Sequence, residues 1–128
     1  MKIILDTNFI IYCAKNKLDY VEGIGDLLNE GFELVVPSQV VNELKQLKND
    51  KWKKVSGKDK TAIDLALQLL KVNNVKEVEI KGNSVDEGMI NLANENKKNI
   101  VCTFDREMRK KLPRVILLNR KKKLILTR

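Results

Sequence analysis

Apolar and polar residues alternate along the chain in blocks that predict short strands followed by helices. Residues 2–5, 33–36, 99–104 and 114–118 are largely apolar runs of the length expected for strands buried on both faces. Capping residues or apolar residues at helical spacing predict helices over 8–14, 20–29, 38–47, 59–70, 84–96 and 106–112. The charged alternate positions of 75–80 predict an edge strand, and "LILT" forms a last short run.

This order of elements predicts the fold class. Strands that alternate with helices form mainly parallel sheets covered on both faces. We therefore expect a three-layer α/β/α sandwich in which residues 1–128 form one domain, since no repeat or interdomain linker interrupts the sequence. Ligands of such sheets bind beyond the carboxyl ends of the strands.

Composition excludes several kinds of chemistry and of cellular setting. The chain has no histidine. By itself it therefore cannot carry out histidine-based general acid–base catalysis or bind zinc through histidine. Cys13 and Cys102 lie in apolar runs and are predicted to be buried thiols. No run approaches the roughly 20 apolar residues of a membrane span. The N-terminal stretch lacks a signal-peptide core, so we expect a cytoplasmic protein without a membrane partner.

Positive charge is concentrated in two segments of a chain whose net charge is +8. Residues 45–60 hold seven lysines against two aspartates, and residues 106–128 hold ten Lys or Arg against one glutamate. We interpret 48–60 as a basic insertion and 114–128 as a basic C-terminal hairpin. Such an uneven distribution favours a polyanionic partner, most commonly RNA or DNA. A solvated lysine-rich surface, as thermophile proteins often have, explains the charge equally well.

Two aspartates stand where predicted strands end. Asp6 follows the first strand in "IILDTN", and Asp105 follows a later strand in "VCTFDRE". Either residue alone is explained as an N-cap, because a helix follows each of them. Together they favour a second role, since neighbouring parallel strands would bring both carboxylates within reach of one metal ion.

Two further acids are candidates for the same edge of the sheet. Glu43 borders the core-facing apolar stripe of helix 38–47, where its side chain either extends into solvent or points across the crevice. Ser84 and Glu87 have capping-box spacing, which gives Glu87 a structural role and leaves Asp86 free. Stabilisation of the helix dipole is the alternative explanation for Asp86.

Four gathered carboxylates predict a hard divalent cation. None of the four has a lysine at helical spacing, and oxygen-only ligands select Mg²⁺ or Mn²⁺. Without histidine as a base, the metal itself must activate water and neutralise charge on a phosphate. The chemistry that fits is metal-assisted phosphodiester hydrolysis.

The acidic motifs together resemble those of PIN-domain nucleases. The quoted stretches are "ILDTN", "VVNELKQL", "VDEGMINLA" and "VCTFDREMRKKL", in the expected order. The resemblance runs from Lys2 to about Leu118. It implies a compact α/β/α sandwich, an acidic pocket for one or two divalent ions, and endoribonuclease activity that leaves a 5′-phosphate and a 3′-hydroxyl.

The resemblance also implies roles for individual residues. It makes four carboxylates the catalytic metal ligands, and two polar residues supports of the pocket. The carboxylates are Asp6, Glu43, Asp86 and Asp105, and the supports are Asn8 and Thr103. Gly88 and Met89 stand where many relatives have larger or β-branched apolar residues, which predicts a looser start of that helix.

The basic segments then acquire a role in RNA binding. We expect the insertion to overhang the pocket, with Trp52 either stacking on an unpaired base or packing as an anchor of the loop. The predicted RNA contacts are Lys48, Lys51, Trp52, Lys53, Lys54, Lys58, Arg106, Arg120 and Lys121.

Three functions are compatible with these features. The first is an RNA-processing endonuclease similar to ribosomal-RNA-processing PIN nucleases. The second is a VapC-type toxin of a toxin–antitoxin pair, with a small antitoxin as partner. The third is a catalytically silent PIN module that only binds RNA or assembles ribosomal precursors. The complete set of four acids argues against this third function. A homodimer is a further expectation, because PIN domains frequently pair through helices.

Overall fold

The computed structural model describes residues 1–49, 57–119, 121 and 123–127. The strands are β1 (Lys2–Leu5), β2 (Glu33–Pro37), β3 (Lys76–Val78), β4 (Ile100–Cys102), β5 (Val115–Leu118) and β6 (Leu124–Thr127). The helices are α1 (Thr7–Lys15), α2 (Tyr20–Leu27), α3 (Ser38–Asn49), α4 (Gly57–Val72), α5 (Val85–Asn94) and α6 (Arg106–Arg109). Each predicted strand and helix is present, and the ends differ from the prediction by a few residues.

The strands form a six-stranded sheet in the order β3-β2-β1-β4-β5-β6. All neighbouring strands are parallel except β5 and β6, which are antiparallel. Ile3 of β1 pairs with Leu34 on one side and with Ile100 on the other. The prediction of a mainly parallel sheet is confirmed, and β3 lies at an edge. The carboxyl ends of β1, β2, β4 and β5 therefore share one edge of the sheet.

Helices cover both faces of the sheet, which explains the unbroken apolar run of β1. Ile3 and Leu5 are completely buried in a large cluster with α1, α3 and α4. Ile4, between them, points to the other face and is buried with Met89 of α5 and Met108 of α6. Full burial of one such side chain contributes roughly 1.5–3 kcal/mol. The three-layer sandwich is thus built around β1, whose carboxyl end carries Asp6.

The cysteines belong to the core, as predicted. Cys13 and Cys102 are free and buried, and burial raises the pKa of Cys13 to about 12. Burial also raises the pKa of Cys102 well above its ordinary value. Both thiols are therefore protonated at neutral pH and are poor nucleophiles.

A helix must be long and apolar to cross a lipid bilayer. Among residues 1–49 and 57–119, no helix has the length and apolar character needed to cross a bilayer.

Candidate active site

Asp6 occupies a buried position at the end of β1. Its side chain is only 8% exposed and lies at the N-terminus of α1, where Oδ1 accepts a hydrogen bond from the Thr7 N–H at 2.8 Å. Its other oxygen, Oδ2, accepts from the Thr103 hydroxyl at 2.7 Å. The Asp6 N–H continues the pairing of β1 with β4 by donating to the Cys102 carbonyl. The carboxylate is thus fixed between two central strands.

The electrostatic surroundings of Asp6 disfavour its negative charge. Burial is the largest cause that raises the pKa of the Asp6 carboxyl. The hydrogen bonds from Thr103 and from the Thr7 backbone lower that pKa, and the negative charges of Asp86 and Glu43 raise it again. The pKa of Asp6 lies above its ordinary value as a result. Three of the predicted carboxylates are therefore close enough for their charges to interact, and a bound cation would relieve their repulsion.

Thr103 connects the ends of β1 and β4. Its side chain is completely buried, and its hydroxyl donates to Asp6 while accepting a hydrogen bond from the Asp105 N–H at 3.1 Å. That Thr103 is a polar support of the pocket stays a prediction, for which these two hydrogen bonds supply the geometry. One hydroxyl therefore determines the position of one acidic side chain and of the backbone that carries another.

Asp105 serves as the N-cap of α6, the structural alternative considered from the sequence. Its Oδ1 accepts hydrogen bonds from the Glu107 N–H at 2.9 Å and from the Met108 N–H at 3.3 Å. Its Oδ2 makes no hydrogen bond within the described part of the chain. A single carboxylate can thus cap the helix through one oxygen and present the other at the carboxyl edge of the sheet.

Glu43 lies on α3 and is exposed. A hydrogen bond with Thr7 connects it to the site. The Thr7 hydroxyl donates to Glu43 Oε2 at 3.2 Å, and Thr7 itself is buried beside Asp6. This contact of Thr7 was not predicted from the sequence. The available signal was a hydroxyl directly after the aspartate of "ILDTN".

Asp86 lies in the first turn of α5, and its neighbours form most of the predicted capping box. The Glu87 N–H donates to Ser84 Oγ at 3.1 Å, as the spacing requires. The Glu87 carboxylate instead accepts from the Asn83 N–H, one residue before the Ser84 N–H that the motif predicts. Glu87 is thus engaged in the local turn, whereas the exposed Asp86 acts on Asp6 through its charge.

The predicted acids lie at the carboxyl edge of the sheet, but they do not form a complete set of metal ligands. Among the described residues, no three acidic or cysteine side chains are arranged as a ready-made ligand set. The donors nevertheless fit a hard cation, because they are carboxylate oxygens and the ion pairs of the described chain involve other acids. Asn8, the second predicted support, is exposed.

Part of the predicted RNA-binding set lies at the same edge of the sheet. Arg106 follows Asp105 directly and is exposed. Exposed Lys121 lies in the turn after β5, where Asn119 Oδ1 accepts from the Lys121 and Lys123 N–H groups at 2.9 and 3.0 Å. Lys48 forms an ion pair with Asp64 of α4. Outside the described residues lie Lys51, Trp52, Lys53, Lys54 and Arg120, together with the side chain of Lys58.

Comparisons with known proteins agree with this fold. The PIN-like domain family matches residues 3–121. Ribonuclease VapC4 of Methanocaldococcus jannaschii is 41% identical over 111 residues, which cover 87% of this chain and 82% of that protein. Ribonuclease VapC9 of Archaeoglobus fulgidus is 34% identical over 109 residues, 84% of this chain and 73% of that protein.

A solved structure shows the same architecture. The PIN domain endonuclease Utp24 superimposes with a TM-score of 0.75 at 21% identity, over 99% of this chain and 91% of that one. The fold is therefore that of a PIN domain. The chain belongs to the PIN-like domain family, and its sequence-based assignment to the PIN-domain ribonucleases is confirmed.

Proposed function

We propose that the protein is a divalent-metal-dependent endoribonuclease. The observation that carries the proposal is the buried carboxylate of Asp6, held by two hydrogen bonds and surrounded by the charges of Glu43 and Asp86. A buried acid in repulsive surroundings is typical of a site built to bind a cation. Membership of a family with curated ribonucleases supports RNA as the substrate.

The residues of the site have two proposed roles, binding the metal ion and positioning the metal ligands. Asp6, Glu43, Asp86 and Asp105 would hold one or two Mg²⁺ or Mn²⁺ ions. When bound, such an ion supplies a Lewis acid that lowers the pKa of water and neutralises charge on a phosphate. Thr103 and Thr7 hold the Asp6 and Glu43 carboxylates in place by hydrogen bonds. A chain without histidine leaves no imidazole to act as the general base.

The direct test is cleavage of a panel of structured RNAs by the purified chain. We expect cleavage with Mg²⁺ or Mn²⁺, none in EDTA, and recovery when Mn²⁺ is added in excess of the chelator. Mapping of the products should give internal cuts with 5′-phosphate ends. Cleavage that persists in EDTA, or that a variant lacking Asp6 retains, would overturn the metal-dependent mechanism.

Basic residues at the carboxyl edge are proposed to bind the RNA backbone. Arg106 and Lys121 are exposed there and point to an approach of phosphates over α6 and the turn between β5 and β6. Contacts of this kind release counterions, so affinity falls with salt by about 0.7 log units per contact for each tenfold increase in salt on single-stranded RNA.

We expect the double variant Arg106→Gln/Lys121→Gln to bind single-stranded RNA more weakly and with a shallower salt dependence. The reason is that two phosphate contacts disappear, which lowers the slope by about 1.4 log units. The measurement is a fluorescence-anisotropy titration in EDTA at several salt concentrations. The matched control is Lys76→Gln/Lys98→Gln, which removes the same charge at the opposite edge, where β3 and β4 begin. Equal slopes for both double variants would contradict this RNA path.

A VapC-type toxin is the second candidate function. The 41% identity to Ribonuclease VapC4 favours it, and the chemistry at the site would be the same. Expression in a bacterial host should then arrest growth, and a small protein encoded beside this gene should relieve the arrest. An arrest that Asp6→Asn still causes would exclude ribonuclease action as its basis.

A further inference from the structure

The connection from β3 to α5, residues 79–84, packs unusually closely against the start of α5. Gly88 is buried in the first half of that helix. A Cβ atom placed on Gly88 would lie 2.7 Å from Ile80 Cδ1 and 3.0 Å from Ile80 Cβ. Separations below about 3.0 Å do not occur for real Cβ atoms, so any side chain at position 88 must displace Ile80 or move the helix.

A second glycine, Gly82, lies in the connection itself and packs against the main chain of α5. A Cβ atom on Gly82 would lie 2.7 Å from the backbone nitrogen of Gly88 and 3.1 Å from the carbonyl carbon of Glu87. These neighbours are main-chain atoms, which cannot rotate away as a side chain can. Gly82 therefore allows backbone to lie directly on backbone one to two residues after Asp86, and Gly88 leaves room there for the Ile80 side chain.

Hydrogen bonds fasten the same connection to α5 on either side of the glycine contact. The Asn91 side-chain amide donates to the Lys81 carbonyl at 2.8 Å, and the Asn83 N–H donates to the Glu87 carboxylate at 3.3 Å. Met89, which projects about 100° around the helix from Gly88, is completely buried against the sheet and anchors that side of α5. The first turn of α5 is thus held between the sheet and residues 80–83.

We infer that Gly82 and Gly88 are positioning residues for Asp86, because their missing side chains set how closely residues 80–82 hold the first turn of α5. This inference rests on the proposed function, in which Asp86 helps to hold the cation. Since Met89 holds the helix on the sheet side, a methyl group at position 88 pushes the first turn away from Ile80. The Asp86 carboxylate moves with that turn relative to Asp6, which β1 fixes.

The test is the affinity for Mn²⁺ alone, measured by isothermal titration calorimetry without RNA. We expect Gly88→Ala to weaken Mn²⁺ binding by about tenfold, the lower end of the range for residues that orient metal ligands. The matched control is Gly25→Ala, also a helical glycine, where a Cβ atom meets nothing within 4 Å. Gly25→Ala should leave the affinity unchanged. Equal affinities of the two variants would overturn the inference.

Three double variants show whether the effect passes through Asp86 and through the contact with Ile80. In an Asp86→Asn background, Gly88→Ala should cause no further loss of affinity, because the carboxylate that it displaces is absent. Ile80→Ala removes the Cδ1 atom that would lie 2.7 Å from the added methyl group, so it should restore most of the Mn²⁺ binding to Gly88→Ala. It should not restore binding to Gly82→Ala, whose closest neighbours are main-chain atoms. An equal loss from Gly88→Ala with and without the Asp86 carboxylate would overturn the inference.

Circular dichroism establishes that each variant is folded at the temperature of the titration. Should Gly88→Ala alone fail to fold, Gly82→Ala takes its place in the comparison with Gly25→Ala. Two outcomes separate this inference from the proposed function. If the unmodified chain does not bind Mn²⁺, both the proposed function and the positioning role are overturned. If both glycine variants bind Mn²⁺ as well as the unmodified chain does, only the positioning role is overturned.

Discussion

Asp6→Asn is expected to abolish RNA cleavage and to raise the melting temperature of the metal-free chain. Cleavage is lost because a neutral amide is a poor ligand for Mg²⁺ or Mn²⁺ and because Asp6 lies at the centre of the site. The melting temperature rises because burial makes the ionised Asp6 carboxylate unfavourable in the folded state. Cleavage assays with Mn²⁺ and thermal unfolding in EDTA at neutral pH measure the two effects.

The stability gain of Asp6→Asn should depend on pH with a defined sign. The folded-state pKa of Asp6 is raised above 3.8, its ordinary value. The cost of ionising Asp6 is therefore complete only above the folded-state pKa, and it vanishes below pH 3.8, where Asp6 is protonated in both states. The difference in melting temperature should accordingly be largest at neutral pH and shrink in acid.

Asp26→Asn is the matched control, since it makes the same chemical change at an exposed position on α2. It should leave both cleavage and melting temperature close to those of the unmodified chain. A lower melting temperature for Asp6→Asn than for Asp26→Asn at neutral pH would contradict the destabilising burial of the Asp6 charge.

Much of the fold was predictable because both faces of the sheet are covered. Ile3, Ile4 and Leu5 are all completely buried, so the strand appears in the sequence as an unbroken apolar run rather than an alternating one. β3 shows the converse, because its residues are exposed or half-buried at an edge, which preserves its charged alternate positions. Local pattern therefore carried information about the position of a strand within the sheet.

The site was predictable only where a single element determines it. Asp6 and Asp105 follow strands and cap helices, and both features are visible in the local sequence. The contact between Thr7 and Glu43 joins residues 36 positions apart, and it depends on how α3 packs beside α1. No local pattern encodes such a distance, which is why the role of Thr7 was missed.

Glycine at position 88 shows how a local rule can mislead. The sequence predicted a looser helix start because Gly88 and Met89 stand where many relatives have larger or β-branched apolar residues. Glycine also has a low helix propensity. The structure has a capped first turn with Ile80 packed where a side chain would lie. The constraint comes from residues 80–82, which belong to a different part of the fold, and the propensity of one position contains no information about it.

Thr103→Val is the second substitution with a large expected effect. Valine preserves the branched shape but removes the hydroxyl that donates to Asp6 and accepts from the Asp105 N–H. We expect Mn²⁺ affinity or cleavage to fall by about 10–100-fold, as is typical when a group that orients a metal ligand is lost. The free energy of unfolding should fall by about 1–3 kcal/mol, because the Asp105 N–H loses its partner in a part-buried position.

The pH dependence of cleavage separates the hydroxyl of Thr103 from its packing. The Thr103 hydrogen bond lowers the pKa of Asp6, so its removal should raise that pKa further and move the acidic limb of the pH–rate profile to higher pH. Thr103→Ser keeps the hydroxyl and loses only a methyl group, so its acidic limb should stay in place. If serine and valine shifted the limb equally, the shift could not come from the hydroxyl, and the hydrogen bond to Asp6 would have no role in maintaining its charge.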